Sequence, residues 1–191
     1  MHFRHKIFTL SVAALTLLPA GAATAAPALP AGTHHAVVAA RPASPEAAFL
    51  IAAHQGNLAQ IAAGRLAAGK SPDRTVRKLG KRFASYHKKL DAQVKQAAGM
   101  LSVRLPQEPN SEQSALLARY RSATAAEFDA LYVETQLAAY EHAAKLARLI
   151  LKVSTDPVIV KLVGTARPVI EKNRAALTAA RDELAGKQQR Q

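Results

Sequence analysis

The sequence predicts an all-α fold made of four long helices and one short helix. Residues that favour helix N-termini recur along the chain, and apolar residues follow them at three- and four-residue steps. No segment shows the strict alternation of a half-buried β-strand. The chain has the length of one domain and contains no cysteine, so we expect a core rather than disulfides to stabilise it.

Helix start signals place each element. Ser44 and Ser71 each precede a proline, Thr124 and Glu127 form a capping box, and Asp156 precedes another proline. The predicted helices are Pro45–Ala68, Pro72–Gly99, Ala125–Lys152 and Pro157–Ala185, with a short helix over Ser111–Arg121.

The lengths of the connections predict the topology. The first two long helices are separated by only a few residues, as are the last two, so each pair must form an antiparallel hairpin. A longer crossover, Met100 to Ala123, joins the hairpins. Two antiparallel hairpins joined by one long crossover have the connectivity of a ferritin-like four-helix bundle.

The N-terminus predicts export. Arg4 and Lys6 precede a short apolar run, Ile7–Leu18, and small residues follow it. This pattern is typical of a signal peptide, here residues 1–25, and the apolar run is too short for a membrane anchor. The alternative is a cytoplasmic protein with an apolar first helix. With export, we expect a periplasmic protein, associated with the outer membrane or released outside the cell.

The remaining chain divides into three parts. Residues 26–44 are rich in Ala and Pro and contain adjacent His34 and His35, and we expect a flexible leader. Residues 45–186 form the bundle, and residues 187–191 are predicted to be a polar tail. Two histidines in a mobile leader would make only a weak metal site.

The charge of the chain favours anionic partners. There are 26 Lys and Arg residues against 13 Asp and Glu; removal of residues 1–25 would leave 24 against 13, a formal net charge of +11. For an exported protein we expect anionic lipid, lipopolysaccharide or acidic polysaccharide rather than nucleic acid. A surface that only keeps the protein soluble is the alternative.

The second helix separates an apolar stripe from a basic face. The stripe recurs at helical spacing: Val76, Leu79, Phe83, His87, Leu90, Val94, Ala97 and Leu101. The opposite side, here called the basic face, is the candidate surface for an anionic partner. It consists of Arg74, Arg77, Lys78, Lys81, Arg82, Lys88, Lys89 and Lys95.

Each long helix also offers polar groups to the interior. The predicted inward set is Gln60, His87, Asp129, Tyr140 and Asn173, with Gln136 beside Tyr140. Polar groups are costly to bury without partners, so we expect them to pair with one another or with backbone. A buried hydrogen-bond layer and a metal site both remain open at this point.

Four segments follow one another over about Glu46 to Leu184: "AAFLIAAHQGNLAQIAAGRLA", "VRKLGKRFASYHKKLDAQVK", "EFDALYVETQLAAYEHA" and "ARPVIEKNRAAL". In this order and spacing they resemble the exported bacterial helical bundles grouped as domain of unknown function 4142, many of which carry an outer-membrane label. The resemblance implies a ferritin-like bundle with inward Glu, Asp and His residues of the kind that hold a carboxylate-bridged metal pair.

This chain departs from the family pattern at those inward positions. Gln60 stands where Glu is common, Tyr86 where Asp is common, and Tyr140 and Asn173 where His is common; only His87 matches. A ferritin-like di-iron centre also needs several carboxylates and two Glu-x-x-His spacings, and that spacing does not occur in the sequence. We therefore predict no cofactor, with a degenerate site for iron or another divalent metal as the alternative.

The sequence also lacks the common catalytic signatures. There is no Gly-rich phosphate loop and no Cys nucleophile, and no Ser-His-acid triad can be recognised from the sequence. We predict a non-catalytic envelope protein that binds anionic components through the basic face and takes part in envelope or stress physiology. The alternative is a metal-binding or redox stress protein whose interior site uses His87 with Asp129, Tyr140 and Asn173.

Overall fold

A computed structural model describes residues 44–190, and this part of the chain folds into helices with no β-strand. The predicted signal peptide, and the leader apart from Ser44, lie outside the described residues. The all-α prediction is confirmed. The helices are α1 (Pro45–Lys70), α2 (Arg74–Met100), α3 (Ser111–Ser122), α4 (Ala125–Val153) and α5 (Pro157–Gln188).

Local hydrogen bonds explain where most helices begin. The Ser44 side chain accepts a hydrogen bond from the backbone N–H of Ala47 at the start of α1. Thr124 and Glu127 form the predicted capping box at the start of α4. The Asp156 carboxylate accepts two backbone N–H bonds at the start of α5. These side chains satisfy N–H groups that have no partner inside the helix.

The start of α2 differs from the prediction. Asp73, not Ser71, is the N-cap: its Oδ1 atom accepts from the backbone N–H groups of Thr75 at 2.7 Å and Val76 at 3.0 Å. An aspartate two residues after the serine offers an equally good cap. The Ser71 hydroxyl is instead buried and bonded to the carboxylate of Asp129 on α4.

Hydrogen bonds between helices fix their relative directions. Along α1 and α2, Asn57 contacts His87 and His54 contacts Asp91, so these helices are antiparallel. Between α1 and α4, contacts join Glu46 to Ser154 and Ser71 to Asp129, again an antiparallel pattern. Because α2 and α4 both oppose α1, they run in the same direction as each other.

The last helix returns beside α2. Thr75 near the start of α2 donates to Glu183 near the end of α5, and Arg82 donates to Asn173 further back. The helix continues to Gln188, so the predicted tail begins too early: Lys187 is helical and forms 2.6 Å ion pairs with Asp73 and Glu183. These ion pairs hold the C-terminal turn of α5 against the start of α2.

Most of the predicted apolar stripe of α2 lies in the core, while Leu90 and Leu101 are only partly buried. The residues of that stripe that are buried are Val76, Leu79, Phe83, His87, Val94 and Ala97. No helix between residues 44 and 190 combines the length and the apolar character needed to cross a bilayer.

The backbones of α1 and α2 approach each other closely at Gly64 and Gly80. A Cβ atom placed on Gly64 would lie 2.6 Å from the carbonyl oxygen of Gly80, and the reverse substitution meets the carbonyl oxygen of Gly64 at the same distance. Both backbones therefore need a residue without a side chain at this crossing.

Candidate functional site

A line of side chains crosses the interior of the helices and includes one residue or more from each long helix. The guanidinium of Arg82 donates to Asn173 Oδ1 at 3.1 Å, and Asn173 Nδ2 donates to the Tyr140 hydroxyl at 3.0 Å. That hydroxyl lies 2.9 Å from His87 Nε2, and His87 Nδ1 lies 2.8 Å from Asn57 Oδ1. We call these five residues the polar line.

The direction of each hydrogen bond follows from the protonation state of His87. Burial of the ring lowers the pKa of His87 to about 4, so the imidazole is neutral near neutral pH and carries one N–H. Because Asn57 Oδ1 can only accept, the proton is on Nδ1, and Nε2 accepts from the hydroxyl of Tyr140. Burial raises the pKa of Tyr140, which keeps that hydroxyl protonated.

Aromatic rings enclose the central pair of the polar line. The ring of Phe83 lies 5.2 Å from that of Tyr140, and Tyr86 meets His87 edge-on at 5.2 Å between ring centroids. Tyr140 is only 2% exposed and His87 8% exposed. Water therefore has little access to the Tyr140–His87 hydrogen bond, which lies in surroundings of low polarity.

Five buried polar atoms have no hydrogen-bond partner within residues 44–190, and unpaired groups of this kind usually mark a role or an ordered water. Within the polar line, the free atom is the amide nitrogen of Asn57. The others are Gln60 Oε1, the hydroxyls of Tyr86 and Tyr132, and Gln136 Oε1.

Three of the predicted inward residues come together in the polar line: His87, Tyr140 and Asn173. Gln60 does not join it; Asn57, one helical turn earlier on α1, provides the contact to His87 instead. Positions three residues apart share a helix face, so periodicity could not choose between these two amides.

Asp129 also lies away from the predicted site. Its carboxylate accepts from the Ser71 hydroxyl and from the backbone N–H of Asp73 at 3.2 Å, where α4 meets the turn between α1 and α2. Ser71 is 14 residues beyond Asn57, about 21 Å along the helix direction. Asp129 therefore has a structural partner and cannot act together with His87.

The donor atoms around His87 do not fit a divalent metal. They comprise one imidazole, two carboxamides and a phenol, and both nitrogens of His87 are already hydrogen-bonded. Iron, manganese or zinc sites of this kind need anionic or additional imidazole ligands. No group of three or more His, Cys, Asp or Glu side chains able to hold a metal occurs in the described part of the chain.

A second buried pair was not predicted. His54 Nδ1 on α1 lies 2.6 Å from Asp91 Oδ1 on α2, and Asp91 Oδ2 pairs with Lys95 at 2.9 Å. His54 Nε2 donates to the carbonyl oxygen of Pro106 in the crossover at 3.0 Å. His54 and Asp91 are 37 residues apart, and the sequence gives no local signal that joins them.

The basic face of α2 divides into paired and unpaired residues. Arg77 donates to two backbone carbonyls, Arg82 to Asn173, and Lys95 pairs with Asp91. The other five are exposed and form no ion pair within residues 44–190: Arg74, Lys78, Lys81, Lys88 and Lys89.

By its fold and its polar line, the described chain is an all-α protein whose four long helices share a buried hydrogen-bond network. The chain belongs to the family described as domain of unknown function (DUF4142), whose sequence profile matches residues 31–180. The predicted assignment to domain of unknown function 4142 is thus confirmed. Comparison with curated proteins found no match, and neither did comparison with solved structures.

Proposed function

We propose that this protein is an exported, non-catalytic helical bundle that binds anionic components of the cell envelope through the basic face of α2. The observation that carries the proposal is the set of five exposed, unpaired cations on one side of a single helix. At about 100° per residue they fall within less than half of the helix circumference. Their chemistry suits closely spaced phosphate or carboxylate groups.

The surroundings of the basic face add to this argument. The one acidic residue in the middle of α2, Asp91, is buried and directed toward His54 and Lys95, so it does not neutralise the exposed cations. Attraction between such a surface and an anionic membrane weakens as salt screens it. Binding should therefore be strongest at low ionic strength.

We also infer a ferritin-like arrangement of the four long helices, with a crossover that includes α3. Its support is the antiparallel pairing of α1 with α2 and α4, and of α2 with α5, described above. The proposed export rests on the signal peptide predicted over residues 1–25. We propose in addition that the protein takes part in envelope or stress physiology.

Vesicle sedimentation tests the proposed binding. Purified protein is mixed with vesicles of neutral lipid alone, or of neutral and anionic lipid, at low and at high salt. We expect co-sedimentation only with anionic vesicles at low salt, and its loss when Lys81, Lys88 and Lys89 are all replaced by Glu. Lipopolysaccharide and a soluble acidic polysaccharide as competitors distinguish the envelope component.

The matched control replaces three exposed cations on another helix by Glu. These are Lys145, Arg148 and Lys152 of α4. It changes the net charge by the same amount but leaves the basic face intact. We expect this variant to bind anionic vesicles nearly as well as the unaltered protein. Equal loss of binding in both variants would show that net charge alone acts, and absence of binding at low salt would overturn the proposal.

A further inference from the structure

Tyr140 differs from the other three tyrosines of the chain in what its hydroxyl contacts. It is hydrogen-bonded to an unprotonated imidazole nitrogen, His87 Nε2, at 2.9 Å. The Tyr120 hydroxyl contacts a threonine hydroxyl and a glutamine amide, and those of Tyr86 and Tyr132 have no partner within residues 44–190. Tyr140 is thus the one tyrosine whose proton faces a base.

This contact matters for one-electron oxidation. A phenol that loses an electron becomes a strong acid, so its proton must move to an acceptor for the oxidised form to be stable. The chain has neither Trp nor Cys, and tyrosine is therefore its most readily oxidised aromatic side chain. Burial keeps His87 neutral, with its pKa lowered to about 4, and the Nε2 lone pair is available.

We propose that Tyr140 and His87 form a proton-coupled redox site that is oxidised by small one-electron oxidants such as inorganic radicals. One electron passes from Tyr140 to the oxidant, which is reduced by one electron. The Tyr140 O–H bond breaks and the proton bonds to His87 Nε2. The products are a neutral tyrosyl radical and an imidazolium, and a one-electron reductant reverses the step.

The rest of the polar line suits both products. Asn57 Oδ1 accepts the Nδ1 proton of His87 and continues to do so when the ring is an imidazolium. Asn173 donates to the Tyr140 oxygen in the hydroxyl and in the radical. With Tyr140 only 2% exposed, the radical is shielded from coupling with a second chain. The proposal is independent of binding at the basic face.

Charged and titratable groups near His87 and Tyr140 affect the pH dependence of this step. On α2 these are Asp91, whose negative charge favours the imidazolium, Tyr86, and Arg82, which is connected to Tyr140 through Asn173. The residues that α1 and α5 contribute to the line, Asn57 and Asn173, do not titrate. His87 is thus the group whose protonation sets the pH profile.

Pulse radiolysis with the azide radical as oxidant tests the proposal. Tyrosyl radicals are followed by optical absorption and by electron paramagnetic resonance, in the unaltered protein and in Tyr140→Phe. We expect a long-lived radical in the unaltered protein and the loss of most of that radical in Tyr140→Phe. Tyr132→Phe is the matched control and should retain the radical.

Two further measurements exclude a purely structural role. The oxidation rate should fall in heavy water, and it should fall in acid as His87 becomes protonated near its pKa of about 4. His87→Leu should shorten the radical lifetime while Tyr140 remains in place; circular dichroism checks that this variant folds. An unchanged radical in Tyr140→Phe, or a rate that does not respond to heavy water, would overturn the proposal.

Discussion

The Nδ1 atom of His54 on α1 lies 2.6 Å from the Oδ1 atom of Asp91 on α2, and both side chains are almost fully buried. The other ring nitrogen donates to the carbonyl oxygen of Pro106, so both nitrogens of His54 face acceptor atoms. A proton must therefore lie between His54 and Asp91. The pair joins α1, α2 and the crossover at one point.

Removal of one partner of this pair should be costly. In Asp91→Ala the buried imidazole keeps one unpaired nitrogen, and we expect the free energy of unfolding to fall by about 3–5 kcal/mol. Urea unfolding measures it. Lys95→Ala is the control: the Lys95 side chain is 58% exposed, and its pair with Asp91 should contribute about 0–1 kcal/mol. Similar losses in both variants would contradict this assignment.

The crossing of α1 and α2 should not tolerate a side chain. In Gly64→Ala the new Cβ would meet the carbonyl oxygen of Gly80 at 2.6 Å, and we expect a loss of about 1–3 kcal/mol or more in unfolding free energy. Gly69→Ala lies in the same helix with nothing within 4 Å of its Cβ, and it should gain about 0.5–1 kcal/mol. Thermal unfolding of both variants measures these changes. If Gly64→Ala were as stable as the unaltered protein, the spacing between α1 and α2 could adjust to a side chain at this crossing.

The hydroxyls of Tyr140 and Tyr132 should contribute differently to stability. Tyr140→Phe removes hydrogen bonds to His87 and Asn173 and leaves buried partners unsatisfied, so we expect a loss of about 1–3 kcal/mol. The Tyr132 hydroxyl has no partner within residues 44–190, so Tyr132→Phe should be neutral or stabilising. Chemical denaturation measures both, and a large loss in Tyr132→Phe would reveal a partner such as an ordered water.

His87 should make the protein less stable in acid. Its pKa is about 4 in the folded protein against 6.5 for an unperturbed histidine, so between these values the unfolded chain binds more protons. The contribution of His87 to the free energy of unfolding is therefore complete above pH 6.5 and decreases as the pH falls toward 4. At pH 5 the free energy of unfolding should be lower by about 2 kcal/mol. In His87→Leu this part of the pH dependence should disappear, which unfolding curves at pH 5 and pH 7.5 can measure. If both proteins lose the same unfolding free energy between pH 7.5 and pH 5, the low pKa of His87 is contradicted.

We expect the interior site to bind no metal, because both nitrogens of His87 are hydrogen-bonded and no carboxylate joins them in the polar line. Elemental analysis of protein purified without chelator or affinity tag should find no stoichiometric iron, manganese or zinc. Addition of these ions, or of a chelator, should leave the thermal unfolding temperature unchanged. Stoichiometric metal that is lost in His87→Leu would contradict this expectation and restore the ferritin-like alternative.

The candidate site was only partly predictable from sequence. His87, Tyr140 and Asn173 lie on apolar stripes, and a polar residue within such a stripe must face the interior wherever the helices pack. Asp129 also faces inward, but its height along the helices depends on how far α4 is shifted relative to α1. That axial shift is set by packing between segments that are distant in sequence, so a local sequence pattern does not predict it.

The helical class, the family and most helix boundaries could be predicted from the sequence, because capping residues and the 3.6-residue period act over a few neighbouring residues. The contact of Asn57, rather than Gln60, with His87 and the pairing of His54 with Asp91 became visible in the folded chain. Each of these contacts requires the rotation and axial shift of two helices to be fixed together. Those quantities arise from packing of the whole core, of which the close approach of Gly64 and Gly80 is one part.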